Sequence, residues 1–218
     1  MWVSWSSGKD CAWALHRLRQ DGKRVEALFT TVNGGADRVA LHGVRRQLLE
    51  AQAAAIGLPL HVVELPWPCS NAEYQKIMSV FIYKARSSGV TEVAFGDLFV
   101  EEIRAYREKN LAGTGITPVF PLWGLKTDAL AREMVNAGLA ACLATVNLFK
   151  LDVSFVGRTF DNALLEALPG DVDACGENGE FHTFVYDGPM FSVPVLIEPG
   201  IITRRENIAY ADLIPFHA

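Results

Sequence analysis

Short apolar runs alternate with amphipathic stretches along the first half of the chain. Four runs rich in aliphatic and aromatic side chains predict strands, at residues 2–5, 25–32, 60–65 and 92–95. Three stretches between them repeat apolar side chains at helical spacing, at residues 10–19, 42–56 and 72–86. Strands separated by helices of this length predict βαβ units, and therefore an α/β fold with a parallel sheet.

The pattern changes character in the second half. A helix is expected at residues 127–137, and shorter β-like runs follow at residues 140–148, 153–156, 183–186 and 193–197. This order favours a smaller α+β domain, with the boundary somewhere in residues 118–140. The expected division is a first domain of residues 1–125 and a second of residues 126–218.

Composition narrows the classes of protein that remain. Half of the 218 residues are apolar, and the net charge of −5 gives no reason to expect direct contact with nucleic acid. Lys9 and Asp10 interrupt the first apolar stretch, so it resembles neither a signal peptide nor a membrane span. The four cysteines are scattered without a CxxC pair, which favours a reduced, cytoplasmic compartment.

Parallel sheets bind ligands outside the carboxyl ends of their strands, close to the point where the strand order reverses. The places to search are therefore the loops after Trp5, Val32 and Phe95. All three loops contain glycine.

The first of these loops has the chemistry of a phosphate site. Free N–H groups at a helix N-terminus and the helix dipole favour an anion there. The loop supplies hydroxyls, a glycine that permits close backbone approach, a cation and a carboxylate, from Ser6, Ser7, Gly8, Lys9, Asp10 and Cys11. Asp10 suits either a helix cap or a magnesium ligand. A capped helix after a tight turn is the alternative interpretation of the whole loop.

A second polar segment extends from Cys175 to Phe191. Asn178-Gly179 suits a type I′ turn, and Glu180 and His182 are spaced to share one face of a strand. A carboxylate and an imidazole together can bind ammonium or move a proton. A solvated hairpin with charged residues on its outer face explains the same pattern.

The loop from Ser6 to Cys11 is similar to the SGGKDS loop of the PP-loop ATP pyrophosphatases, with Ser7 in place of a glycine and Cys11 in place of a serine. The CGENGEFHTFVYDGPMF segment resembles the C-terminal signature of the diphthine–ammonia ligase family within that group. Between these two motifs lie Gly96-Asp97 and then Pro121-Leu122-Trp123, in the order that the family has. The resemblance therefore covers essentially the whole chain. His182 departs from the glutamate of archaeal and eukaryotic members, which indicates a divergent, bacterial-type branch.

The resemblance implies a Rossmann-like (HUP, adenine nucleotide α-hydrolase) domain that binds ATP and Mg²⁺. It implies adenylation of a carboxylate, with ATP converted to AMP and pyrophosphate, followed by attack of ammonia. Lys9, Asp10, Glu177, Glu180 and His182 would be catalytic. The nucleotide would contact the residues of the loop together with His42, Gly96 and Asp97, and Asp10 and Asp97 would hold the metal.

Supporting positions have competing explanations. Asp97 also suits an N-cap for a helical segment from Phe99 onward. Arg104 and Arg107 share a helix face and suit an anionic ligand, although pairing with neighbouring glutamates explains them equally well. A lone histidine such as His42 is commonly a packing residue.

The substrate stays open between diphthine on elongation factor 2 and the carboxylate of a small metabolite. A thiolating PP-loop enzyme would need a cysteine pair, and only Cys175 lies near a motif. A nucleotide-binding sensor without catalysis would not need the second acidic motif. No membrane partner is expected, and a homodimer is possible.

Overall fold

A computed structural model describes residues 1–39 and 42–216. The helices are α1 Lys9–Gln20, α2 Arg46–Ile56, α3 Asn71–Ser87, α4 Glu101–Leu111, α5 Thr127–Asn136 and α6 Asn162–Ala167. The strands are β1 Trp2–Ser4, β2 Ala27–Asn33, β3 Arg38–Val39, β4 Leu60–Leu65, β5 Glu92–Ala94, β6 Thr117–Val119, β7 Ala140–Asn147, β8 Phe181–Asp187, β9 Ile197–Arg205 and β10 Ile208–Pro215.

The first sheet is parallel in the order β4-β2-β1-β5-β6, and the short β3 pairs antiparallel with the end of β2. The strand order reverses between β1 and β5. This confirms the predicted α/β class and the Rossmann-like arrangement, with the reversal point at the ends of β1 and β5.

Backbone packs on backbone at this reversal point. Gly96 follows β5, and a Cβ there would lie 2.7–2.8 Å from main-chain atoms of Asp10 and Cys11 at the start of α1. Only glycine allows this approach. The loop after β5 is therefore packed directly against the loop after β1.

The second sheet is antiparallel, in the order β8-β7-β10-β9. One continuous apolar cluster joins both sheets: it includes Val3 and Leu15 from the first half, and Phe184 and Ala209 from the second. The two sheets therefore share a core, and the predicted boundary at 125/126 stays a prediction. Among the described residues, no helix has both the length and the apolar character needed to cross a membrane.

Three predicted elements differ from the structure. The helix expected from residue 42 begins at Arg46, because Gly43 is left-handed with φ 64° and Arg45 is extended. Residues 153–155 form a single 3-10 turn instead of a strand. The strand expected at residues 193–197 begins only at Ile197, where β9 starts.

The β9–β10 hairpin is the largest element that sequence patterning missed. Every residue of β9 is exposed or half-buried, and its sequence does not alternate apolar with polar positions. Pro199 and Gly200 inside it are residues that strands usually avoid. Without a buried face, local pattern gives no strand signal.

Candidate active site

The loop between β1 and α1 contains a strained residue. Ser7 is fully buried and has φ 76°, in the left-handed region that favours glycine. Its hydroxyl Oγ is buried and has no hydrogen-bond partner within the described chain. A buried hydroxyl without a partner is unusual and suits a site where a ligand completes the hydrogen bonding.

Strand β8 of the second sheet lies across this loop and fixes its backbone. The Val185 N–H donates to the carbonyl of Ser7 at 3.0 Å. The Lys9 N–H donates to Thr183 Oγ1 at 2.9 Å. The nucleotide loop predicted from the first half is thus held in shape by the second half.

Gln52 on α2 completes this attachment. Its amide nitrogen donates to the carbonyls of Ser7 (3.1 Å) and Val185 (2.6 Å), and its oxygen accepts from the Trp5 indole at 2.8 Å. The side chain is fully buried and joins the first strand, the loop and β8. Nothing in the local sequence around Gln52 signalled this role.

The Lys9 ammonium points into the junction between the two halves. Its Nζ contacts both Asp10 carboxylate oxygens at 2.9–3.0 Å and donates to the carbonyl of Cys175. Burial alone would lower the pKa of Lys9, but Asp10, Cys175 and Glu177 together outweigh it, so the pKa is raised. Lys9 therefore keeps a full positive charge beside the loop.

The start of α1 corrects one prediction. Its N-cap is Gly8, without a side-chain cap, so Asp10 is not the helix cap. Cys11, in place of the family's serine, donates its thiol to the Gly8 carbonyl at 3.0 Å and lies 3.5 Å from Ser6 Oγ. Burial raises the pKa of Cys11 to about 11, so it is a neutral thiol at physiological pH and not a nucleophile.

Glu177 extends from the second half to the strand-reversal point. Its Oε1 accepts from the Leu98 N–H at 2.8 Å, just beyond Gly96-Asp97. Burial raises the pKa of Glu177 to about 7, and the charges of Asp10 and Asp97 contribute to the shift. A carboxyl group with this pKa can give or take a proton near neutral pH.

Glu180 lies in a different environment. The side chain is 1% exposed, and its Oε1 accepts from the Asp173 N–H (3.1 Å) and the Asn178 amide (3.3 Å). Its Oε2 is buried without a partner among the described residues. The carboxylate thus organises the turn that carries Cys175 and Glu177.

His182 and His42 form a stacked pair across the two halves. Their ring centroids are 4.5 Å apart. Burial lowers the pKa of His182 to about 4, with Lys9 adding to the effect, and burial together with His182 lowers that of His42 well below its usual value. Both imidazoles are therefore neutral at physiological pH. A Cβ on Gly8 would lie 3.1 Å from His42 Cε1, so this pair borders the loop.

Asp97 faces an arginine. Arg107 Nε lies 3.4 Å from Asp97 Oδ2, and Arg104 pairs with Glu108 at 2.8 Å. Asp97 does not cap the next helix, because the N-cap of α4 is Val100 and has no side-chain cap.

Within residues 1–39 and 42–216, no group of three or more His, Cys, Asp or Glu side chains could hold a metal by itself.

The structure therefore brings most of the predicted residues together at one edge. Ser6 to Cys11, His42, Gly96, Asp97, Glu177 and His182 surround the strand-reversal point, whereas Glu180 supports it from inside. Sequence reasoning missed Gln52, Thr183 and the Leu98 N–H. A threonine inside the distinctive C-terminal motif was the one available signal.

Comparison with known proteins agrees with this arrangement. Residues 1–117 match the diphthamide synthase N-terminal domain, and residues 126–211 match the diphthamide synthase C-terminal domain. The diphthine–ammonia ligase of Danio rerio is 25% identical over 94% of this chain and 89% of its own length. The diphthine–ammonia ligase of Homo sapiens is 22% identical over 94% of this chain and 85% of its own length. The chain belongs to the diphthamide synthase family.

Proposed function

We propose that this protein is an ATP-dependent amidoligase that converts a carboxylate to an amide with ammonia, as the names of its diphthine–ammonia ligase relatives suggest. ATP would be cleaved to AMP and pyrophosphate. The observation that carries the proposal is the meeting of two elements at the strand-reversal point: the Ser6–Cys11 loop, and Glu177 bonded to the Leu98 N–H.

The loop would hold the phosphates of ATP. The N-terminus of α1 presents free backbone N–H groups and a favourable dipole. The unpartnered Ser7 hydroxyl suits a phosphate oxygen. Lys9 supplies a positive charge close by, although its ammonium is already bonded to Asp10.

The carboxylates at this edge fit Mg²⁺. This ion usually takes one or two protein carboxylates and completes its shell with phosphate oxygens and water. Asp10 and Asp97 would supply those carboxylates, so the absence of a three-ligand cluster from the described residues does not argue against the fit. When bound, the ion would spread the negative charge of the pyrophosphate.

The reaction has two steps. A substrate carboxylate oxygen attacks the α-phosphorus of ATP, and pyrophosphate leaves to give an acyl-adenylate. Ammonia then attacks the acyl carbon, AMP leaves, and the amide nitrogen loses a proton. Dipoles and charges that are already in place around the loop stabilise the leaving groups without reorganisation.

The residues of the second half would bind ammonia and transfer its protons. Glu177, with a pKa of about 7, would accept a proton from ammonium and so release ammonia, which is the nucleophile. The neutral His182 would accept a hydrogen bond from ammonia or position the carboxylate. Glu180 would act indirectly, by holding the turn that carries Glu177.

Release of AMP and pyrophosphate from ATP tests the proposal. The purified protein is incubated with Mg²⁺, ammonium and a panel of carboxylates that includes elongation factor 2 bearing diphthine. AMP and pyrophosphate that appear only with one carboxylate support the proposal and name the substrate. ADP and phosphate would overturn α–β cleavage, and binding of ATP without turnover of any carboxylate would favour a sensor.

The panel also decides between the two substrate classes. Turnover with modified elongation factor 2 would identify a protein substrate and would agree with cytoplasmic activity. Turnover with a small carboxylate alone would assign the chain to metabolite amidation. Glu177→Gln is the matched variant: it should retain nucleotide binding and reduce amide formation by about 100-fold, as expected for loss of a general base.

A further inference from the structure

A three-residue ion cluster joins the halves of the protein outside the nucleotide loop. Asp212 on β10 accepts from Arg38 Nη2 at 2.8 Å. It also accepts from Arg45 Nε at 3.1 Å and from Arg45 Nη2 at 2.7 Å, which makes a bidentate ion pair. One carboxylate of the second sheet therefore holds two guanidinium groups of the first half.

The two arginines flank one short segment. Arg38 and Arg45 form an isolated β-bridge, and Arg38 Nη1 donates to the carbonyl of Gly43 at 2.6 Å. Gly43 lies so close to β10 that a Cβ there would be 2.8 Å from the ring of Tyr210. The backbone at Gly43 is thus packed against β10 of the second sheet.

His42 lies between Arg38 and Arg45 in the sequence and contacts the second sheet. Its carbonyl accepts from Thr145 Oγ1 at 3.0 Å. Its ring stacks on His182 and lies against Gly8 of the nucleotide loop. Any shift of His42 and Gly43 would therefore move an imidazole at the site.

We propose that Asp212 is a positioning residue that acts through His42, by holding Arg38 and Arg45 so that the imidazole stays between Gly8 and His182. This inference rests on the proposed function. Removing the charge of Asp212 would leave two neighbouring guanidinium groups without their shared partner, and their repulsion would loosen the packing of Gly43 and His42.

The first test measures binding of α,β-methylene-ATP, an analogue that cannot be cleaved between its α and β phosphates. Asp212→Asn should weaken this binding about fivefold, a typical size for coupling between contacting groups. Asp212→Glu should recover most of it. Glu64→Gln is the control, because it neutralises an exposed carboxylate whose partner is Arg46 and not Arg38 or Arg45.

A double-mutant cycle separates positioning from a general structural effect. His42→Ala should also weaken binding, and Asp212→Asn should add nothing to it when the two changes are combined. Additive losses, or an Asp212→Asn variant that binds as tightly as the wild type, would overturn the inference. Equal melting temperatures of the single variants would exclude global destabilisation as the cause.

Histidine NMR keeps this test separate from the proposed function. The protein has five histidines, whose imidazole resonances can be assigned with single-histidine variants. Asp212→Asn should shift the resonances of His42 and His182 and leave those of His16 and His61 unchanged. If wild-type protein fails to bind the ATP analogue, the proposed function fails, and unshifted His42 resonances would independently reject the role of Asp212.

Discussion

At the residue scale, Ser7 has a strained backbone conformation and a buried hydroxyl that is available to a ligand. Its left-handed φ of 76° is unfavourable for any residue with a Cβ, by about 1 kcal/mol. The resemblance to the SGGKDS loop implies a glycine at this position, and the left-handed φ gives a physical reason for it. The structure adds that the hydroxyl is buried and has no partner among the described residues, so a ligand is the best explanation for keeping serine.

Ser7→Gly should therefore raise stability and weaken nucleotide binding. We expect a gain of about 1 kcal/mol in the free energy of unfolding, because the strained φ is relieved. Denaturant unfolding and calorimetric titration with ATP measure the two effects. Asp37→Gly is the matched control: Asp37 has φ 51° outside the loop, so stability alone should rise. Unchanged ATP affinity in Ser7→Gly would contradict the role of the hydroxyl.

Glu177 gives a pH-dependent prediction. Its pKa rises from 4.5 to about 7 in the folded protein, chiefly through burial. Between these values the folded state retains a proton that the unfolded state has released. Linkage then requires stability to fall as pH increases through this window, because ionisation of the buried carboxyl group opposes folding.

Glu177→Gln should remove that component. Compared with the wild type, the variant should lose less stability between pH 4.5 and pH 7. Urea unfolding at several pH values measures the slope, and Glu166→Gln on the exposed surface controls for removal of a carboxylate. Identical slopes in the wild type and Glu177→Gln would show that this carboxyl group does not have a raised pKa.

At the scale of elements, the junction of β5 with α1 depends on close backbone packing. Gly96 leaves no room for a side chain, because Asp10 and Cys11 main-chain atoms occupy the space. Gln52 and Thr183 then attach the loop to α2 and β8. Three elements from distant parts of the sequence therefore determine the loop conformation.

Gly96→Ala should destabilise the fold by about 1–3 kcal/mol, the usual cost of forcing extra volume into packed backbone. It should also weaken ATP binding, since α1 would be displaced from β5. Gly170→Ala is the control, because a Cβ there meets no atom within 4 Å. Thermal unfolding compares the two, and equal melting temperatures would contradict the contact at Gly96.

At the scale of the whole molecule, one core spans both sheets. Helix α1 packs against β8, and the same apolar cluster contains residues of β1 and β10. The division at 125/126 was predicted from a change in sequence pattern, and it stays a prediction. The predicted homodimer also stays a prediction that sedimentation analysis can test.

A shared core predicts cooperative unfolding of both halves. All five tryptophans lie in residues 1–125, so their fluorescence reports the first half. The buried thiols of Cys142 and Cys175 report the second half through their reactivity. Both probes should give the same denaturation midpoint. Two separated midpoints would show that the halves fold independently.

The sequence alone determined the features that local pattern encodes. Alternating apolar runs specified the parallel sheet, because a βαβ unit must bury one face of each helix. The Ser6–Cys11 loop was found because hydroxyls, glycine, a cation and a helix start lie within a few consecutive residues. The loop could be predicted for this reason, whereas the roles of His42, Gly96, Asp97 and Glu177 were implied by the family resemblance.

Tertiary structure decided how those residues are used. The Thr183 hydroxyl that fixes Lys9 is 174 positions away in the chain, and Glu177 reaches a backbone N–H 79 positions away. Contacts at this separation leave no periodicity in the sequence. Burial likewise appears only when the two sheets pack together, so the shifted pKa values of Glu177 and His182 belong to the fold and not to the motif.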